Sequence, residues 1–531
     1  MPTIPRSRDP TIAFTSFYAL VLIGSRSLPV LWRGSRGDMI KGSSTTVGAT
    51  LFTLGLAACS SDNGGPQQGA LTSTTESGSA VISITADGAI AGLTLDGLTL
   101  TPAFSPTIED YAVRCAADSN LTTLRIDDQA GPRSVALTLL EDQALVVSGK
   151  YWIRCLPHDF PQLTLSRYPT VGSPTPGWYL TGTAVFSTSS AGFAMVLDGN
   201  ATPVWYRRTG ALMDLESFAK NTLSFMPAAT APFGTDVSAS FNVVDLDALT
   251  TVNLRATTGL PTDGHELRLL ENGDHLVLVY PIEQDVDLTG LESYGSDLPM
   301  VDCNIQEVDA SGNLVWSWLA SDHFDPIRES VVPTTYSVGG QSVVDVFHCN
   351  SIDVDATGNL LVSSRHMSAV FYIDKATGNV VWKLGGSSFN KDSAQYIQVI
   401  DDDAGGFSMQ HDARFQPNGD VTMFDDHGNL AGTARAVEYA LDFTAHTAKS
   451  VFEVPADVKS GYMGSFRKYA DGESVIGWGG LDPDLRAFSE VDPSGAIVLD
   501  VSFGSGDESY RAVKVPLDQL DINVLRSTAG H

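Results

Sequence analysis

Positive charge is scarce in this chain. Its 531 residues hold 32 lysines and arginines against 62 aspartates and glutamates, a formal net charge of −30. That balance excludes nucleic acid as a partner, because phosphate backbones are gripped by Lys and Arg. It also sets a condition on any anionic substrate: the global field repels it, so the binding pocket has to be locally cationic. Long apolar runs are missing as well. Outside residues 39–60, nothing approaches the ~18 consecutive apolar residues of a spanning helix. Cysteine is limited to five residues. What is plentiful is core material. With 43% hydrophobic and only 18% charged residues, the chain can bury a large interior, and its length calls for more than one domain.

Residues 39–60, MIKGSSTTVGATLFTLGLAACS, carry a basic Lys41, an uncharged stretch over 45–58 and then Leu56-Ala57-Ala58-Cys59. This has the layout of a bacterial lipoprotein signal with its lipobox and belongs to targeting rather than to the fold. Met39 is the natural start, residues 1–38 read as an upstream extension, and Cys59 becomes the lipidated residue, the sole membrane attachment expected. Residues 60–79 then read as a flexible tether rich in Ser, Gly and Thr. The other four cysteines fit two disulfides of an exported protein. Proximity pairs Cys115 with Cys155 and Cys303 with Cys349, one of three possible connectivities.

Over 80–165, short alternating runs separated by Gly, Pro and Asp predict a β-sandwich. Its segment AGLTLDGLTLTPAFSPTIEDYAV resembles the bacterial cadherin-like modules, which implies a spacer or adhesive role. The Pro-rich stretch 166–177 reads as a linker. From 178 to 531 the sequence repeats. Similar turns recur in ENGDHLVLVY, ATGNLLVSSR, PNGDVTMFDD and ADGESVIGWG, and a second type in DASGNLVWSW, DKATGNVVWKLGG and DPSGAIVLDV. A period of roughly 50–65 residues with several strands per unit predicts an all-β propeller of about six blades.

Aligning these repeats on their turn glycines brings out three histidines. His265 lies eight residues before Gly273, His348 ten before Gly358 and His411 eight before Gly419. The fourth unit has Gly464 at the matching place. Each propeller blade begins with its innermost strand at the axis, so residues opening those strands converge at one mouth of the channel. Counting seven past each glycine gives a further layer: Tyr280, Arg365, Asp426 and Gly479. The expected pocket therefore holds His265, His348, His411 and Arg365 as the chemical groups, with Asn350, Asp412 and Asp426 as substrate-binding neighbours. Three imidazoles suit zinc, but a permanently charged guanidinium repels a metal, and no metal is assigned. An arginine with two imidazoles suits a tetrahedral oxyanion that a third imidazole can attack. His275, His323 and His446 have no such register and read as surface or loop residues. His366 is expected on the opposite face of its strand from Arg365, and His427 in a loop. The acidic runs Asp401–Asp403 and Asp425–Asp426 hint at structural calcium, although they lack D-x-D-x-D-G spacing. The recurring Trp205, Trp316 and Trp382 read as blade packing.

The segments DGHELRLLENGDHLVLV, DVFHCNSIDVDATGNLLVSSRHMSAVFYIDKATGNVVWKLGG and FSMQHDARFQPNGDVTMFDDHGN resemble the bacterial arylsulfate sulfotransferase family. The resemblance spans roughly 175–520. It implies a six-bladed propeller that moves a sulfuryl group from a phenolic sulfate to a phenolic acceptor, without a nucleotide donor or other cofactor, through a sulfohistidine. It implies His411 as nucleophile, with His348, Arg365 and His265 on the sulfuryl oxygens. The acidic Asp412 after that histidine departs from the better-known members. Two other readings use the same residues: a sulfatase-like hydrolase with water as acceptor, and a non-catalytic surface binding or adhesion propeller.

Overall fold

The computed structural model describes residues 73–74, 81–184, 191–227, 234, 236–257, 259–291, 294–481, 486–504 and 506–530. The chain divides into two units, Met1–Pro66 and Gln67–His531. The signal-like segment, Cys59 and nearly all of the tether lie outside the described residues.

The regular structure of the described part is almost entirely β, and among its residues no helix is long and apolar enough to cross a membrane. Two sheets form the N-terminal layer pair. One contains Val81–Ile84, Asp110–Arg114, Ala144–Val147 and Tyr151–Leu156; the other contains Gly92–Leu95, Ser119–Asp128 and Gly131–Leu140. Alternation along these strands turns Leu93, Leu124, Ile126, Leu145 and Ile153 into one shared core. The Cys115–Cys155 disulfide lies in that core. The sandwich reading thus agrees with the layer structure, whereas the linker reading changes at its start. Leu163–Arg167 pairs with Ile497–Phe503 as a fifth strand on the last propeller sheet.

Beyond it come four-stranded antiparallel meanders arranged as a propeller-like set of sheets. Their innermost strands, among the described residues, are Val513–Val515, Leu212–Glu216, Leu267–Leu269, Cys349–Val354, His411–Phe415 and Ser465–Lys468. The first unit closes the ring: C-terminal Val513–Val515 pairs with Trp178–Gly182, so the two ends of the repeat region share one sheet. The tight turns work as their sequences require. Gly358 and Gly419 sit at φ 86° and 91°, left-handed values that glycine adopts without a Cβ penalty. Asp309 and Asp492 open the second turn type by accepting backbone N–H groups of Ser311 and Asn313, and of Ser494 and Ala496.

One feature interrupts the repeat. Ile282–Val286, Leu298–Val301, Thr334–Val338 and Gln341–Asp345 form a separate sheet inserted around the third unit. It is tied back by a buried ion pair, Lys383 Nζ to Glu329 at 2.5 Å, and by the Cys303–Cys349 disulfide. That insertion accounts for the longer spacing between Gly273 and Gly358. Trp205 and Trp382 are buried between strands, Trp382 stacking on Tyr372 at 5.5 Å between ring centroids.

Candidate active site

The innermost strands deliver the three histidines to one place. His411 is the first residue of His411–Phe415, His348 immediately precedes Cys349–Val354, and His265 lies two residues before Leu267–Leu269. All three are buried. The rings of His265 and His348 meet edge to face with centroids 4.9 Å apart. Tyr280, which follows the second strand of its unit, lies 5.9 Å from His265 and 5.6 Å from His348. Arg365 immediately follows the corresponding second strand of the next unit, Leu360–Ser364, and donates from Nη2 to the Gly461 carbonyl at 2.8 Å.

Each imidazole faces an aspartate across its Nδ1. His265 is hydrogen-bonded to Asp263 at 2.6 Å and His348 to Asp345 at 2.7 Å. Nδ1 of His411 lies 3.0 Å from Asp426, within ion-pair distance but without hydrogen-bond geometry. Local backbone geometry makes the Asp345 contact: His348 adopts φ 51°, which turns its side chain back towards a residue three positions earlier. Asp263 and Asp345 carry no repeat signature, and a periodicity search passes over them. Asp426 does occupy a repeated position, but its role is towards Nδ1 of His411, with Arg365 Nε 3.9 Å away on the same carboxylate.

Burial lowers the pKa of His411 well below the usual imidazole range, and the positive charge of Arg365 lowers it further. Burial also lowers His348, to about 4, against the opposing pull of Asp345. Burial pushes Asp426 well above the usual carboxylate range, with Arg365 opposing. The site thus combines a neutral His411 with a fixed guanidinium, a combination suited to a nucleophile facing a bound monoanion. The acid limb of kcat/KM is expected below the ordinary imidazole value of about 6.5. Arg365→Met removes a charge that depresses His411, so that limb should move to higher pH while the rate falls. A pH–rate profile of the two proteins checks both.

Asn350 and Asp412 occupy the next tier of the channel. Asp412 has φ 57° at a register shift in its strand, and Asp214 has φ 52° at the equivalent shift three units away. Both turn towards arginines. Asp412 accepts from Arg414 at 2.6 Å and from Arg467 at 2.7 and 2.8 Å, and Arg511 lies 3.5 Å away. Arg511 also pairs with Asp214 and Glu266, and Arg467 with Glu216. Against the expectation of a substrate contact, the Asp412 carboxylate is therefore taken up by three guanidiniums, which hold its pKa far below the usual range despite burial. Burial raises the Asp214 pKa against the opposing charge of Arg511. Three guanidiniums thus face Asp214, Glu216, Glu266 and Asp412. Asn350 belongs to this tier too: its side chain donates to the Gln410 carbonyl at 2.7 Å, and its own carbonyl accepts from Arg511 at 2.8 Å.

The remaining histidines are placed as follows. His366 departs from the expected opposite face. The strand ends at Ser364 and the chain turns, so alternation no longer applies, and the His366 ring lies 4.7 Å from that of His348. Asp345, His348 and His366 bring three ligand atoms within 4.8 Å of one another. Hydrogen bonds account for the contacts, because the Nδ1 atoms of the two histidines face the Asp345 carboxylate and backbone carbonyl. His427 braces its loop between Asp425 and the Ala431 carbonyl. His323 pairs with Asp392 and stacks on Trp318, and His275 meets the Arg255 carbonyl. In the acidic runs, Asp402 is engaged by Arg435 and Tyr439, Asp401 by Lys449 and Asp425 by Arg435.

A family model described as arylsulfotransferase (ASST) matches residues 242–504. No curated protein matches the chain. Among solved structures, one of unknown function from Bacteroides caccae aligns at 13% identity with a TM-score of 0.37, covering 64% of this chain and 99% of that one. A putative 6-phosphogluconolactonase from Bacteroides fragilis aligns at 11% identity with a TM-score of 0.37, covering 65% and 100%.

Proposed function

Residues 242–504 belong to the arylsulfotransferase family, and from that premise we propose that the protein moves a sulfuryl group between phenols through a covalent intermediate on His411. The observation that carries this reading is the convergence of three imidazoles, each facing an aspartate, and Arg365 at the opening of three successive innermost strands.

The steps follow from the residues. An aryl sulfate is a tetrahedral monoanion, and Arg365 with His348 and His265 would hold its non-bridging oxygens. In the attacking form, the His411 proton sits on Nδ1 towards Asp426, so the Nε2 lone pair attacks sulfur in line. The N–S bond forms as the S–O bond to the aryl group breaks, and the electron pair leaves with the phenolate oxygen. Positive character gathers on the imidazole as the N–S bond forms. The departing phenolate takes a proton from Nε2 of His348 or His265, which has to enter this step as the imidazolium to act as general acid and is left as the neutral imidazole. An acceptor phenol then returns its proton to that group, its oxygen attacks sulfur, and the N–S bond breaks. Both half-reactions balance without a nucleotide, metal or redox partner. Preorganised donors on the developing charge contribute most here, each worth about 3 kcal/mol.

The same proposal places the protein outside the cytoplasm, anchored through Cys59. Two disulfides, Cys115–Cys155 and Cys303–Cys349, support an oxidising compartment.

The test is release of 4-nitrophenol from 4-nitrophenyl sulfate with and without a second phenol, together with identification of the sulfated product. Acceptor-stimulated release with parallel-line kinetics is the expected result. Release that ignores the acceptor and yields inorganic sulfate would point to the hydrolase, and no turnover across a donor panel would point to the binding protein.

A further inference from the structure

The channel mouth has two chemically distinct halves. Three consecutive units supply the imidazoles and Arg365. On the other side, at the same level of their innermost strands, the remaining units supply Met213, Met463 and Tyr510. These join Ala184 and Tyr462 in a small apolar cluster separate from the main blade cores. Met463 and Tyr510 are buried, whereas Met213 and Tyr462 remain half-exposed.

Three contacts lock this apolar half against the histidines. The Tyr510 hydroxyl donates to the His265 carbonyl at 2.9 Å, and the two rings lie 6.0 Å apart. The Met213 sulfur lies so close to Gly264, beside His265, that a Cβ there would come within 3.2 Å of it. Arg365 reaches across to the carbonyl of Gly461, next to Tyr462. Tyr462 is itself held: its hydroxyl donates to Glu508 at 3.2 Å, and its ring edge lies over Gly480, where a Cβ would approach to 2.6 Å. A half-exposed aromatic ring so fixed, with polarizable thioethers beside it, provides little for a sulfate but much for a flat ring.

We infer that the aryl rings of donor and acceptor bind in turn against Met213, Tyr462 and Met463, across the channel mouth from His411. This subsite rests on the sulfuryl-transfer reading and adds where specificity resides. A phenolic sulfate spans both halves, anion to the imidazoles and ring to the thioethers. An alkyl sulfate fills only the first half. Because one ring site serves both half-reactions, the leaving phenol has to depart before the acceptor enters.

The experiment compares wild type with Met213→Ala and Tyr462→Ala, two substitutions on different blades, after melting temperatures within a few degrees of wild type establish that they fold. Each variant should raise KM for 4-nitrophenyl sulfate about tenfold, while inhibition by inorganic sulfate stays within about twofold. Tyr462→Phe, which keeps the ring, should recover most of the lost affinity. Unchanged KM, or an equal loss of sulfate affinity, would overturn the assignment. Should wild type transfer no sulfuryl group at all, the proposed function fails, and the subsite is judged by calorimetric binding of 4-nitrophenol. Saturable binding that weakens about tenfold in Tyr462→Ala sustains it, and binding that is absent or unaffected refutes it.

Discussion

His411→Ala is expected to lower kcat for sulfuryl transfer by at least ~10,000-fold while leaving the fold intact. The imidazole opens an innermost strand, and its loss removes a buried ring that faces the channel rather than a blade core. His348 and His265 are assigned to the sulfuryl oxygens, with Nδ1 on Asp345 and Asp263 and both rings beside Tyr280. Without the nucleophile, direct displacement by the acceptor would have to align two phenols about one sulfur. Replacement of Arg365 or His348 removes a donor instead and should cost roughly 100- to 1,000-fold. A plot of kcat for the three alanine variants therefore separates the attacking group from its helpers.

The second large effect is on stability. Asp412→Ala strips the carboxylate that Arg414 and Arg467 share and that Arg511 approaches. Three guanidiniums, all buried or nearly so, would then face only Asp214, Glu216 and Glu266. Breaking a buried ion pair from one side costs about 3–5 kcal/mol, because the remaining charge is stranded. A fall in melting temperature of roughly 5–10 °C is expected, measured by scanning calorimetry. A change of under one degree would show that the network is not structural. The arginines lie in the units of His411, Gly464 and the C-terminal strand, so the loss should loosen several units together.

These two residues are neighbours in sequence, yet only one was legible there. His411 could be found because turn glycines fix the register of each unit, and an imidazole recurs at the same offset in three of them. The same register located Tyr280, Arg365 and Asp426. Asp412 invited a role in substrate binding because it adjoins the nucleophile. Its left-handed conformation at a strand irregularity instead turns it into the next tier. That tier joins Asp214, Glu266, Asp412 and Arg511, residues spread over nearly 300 positions. No local spacing reveals it. Asp263 and Asp345 were missed for a related reason: a bend in the chain, not a periodic position, brings each to its imidazole. The apolar half of the mouth has no repeat signature either, since methionine and tyrosine occur there once or twice and only closure of the ring sets them opposite the histidines.

The inserted sheet shows where repeat reading meets its limit. It lengthens one unit, carries Asp345 on its Gln341–Asp345 strand, and so contributes a residue to the site from outside the repeat. The all-β architecture, the strand meanders and both disulfide pairings followed from turn spacing and proximity.

The central claim is a covalent bond between sulfur and the imidazole of His411. Wild-type protein mixed with excess 4-nitrophenyl sulfate and no acceptor, then quenched in base and digested, should yield one peptide heavier by a single sulfuryl group. Fragmentation should place that mass on His411, and it should vanish on adding phenol before the quench. A stoichiometric burst of 4-nitrophenol with no label, or with a label on another residue, would contradict the account.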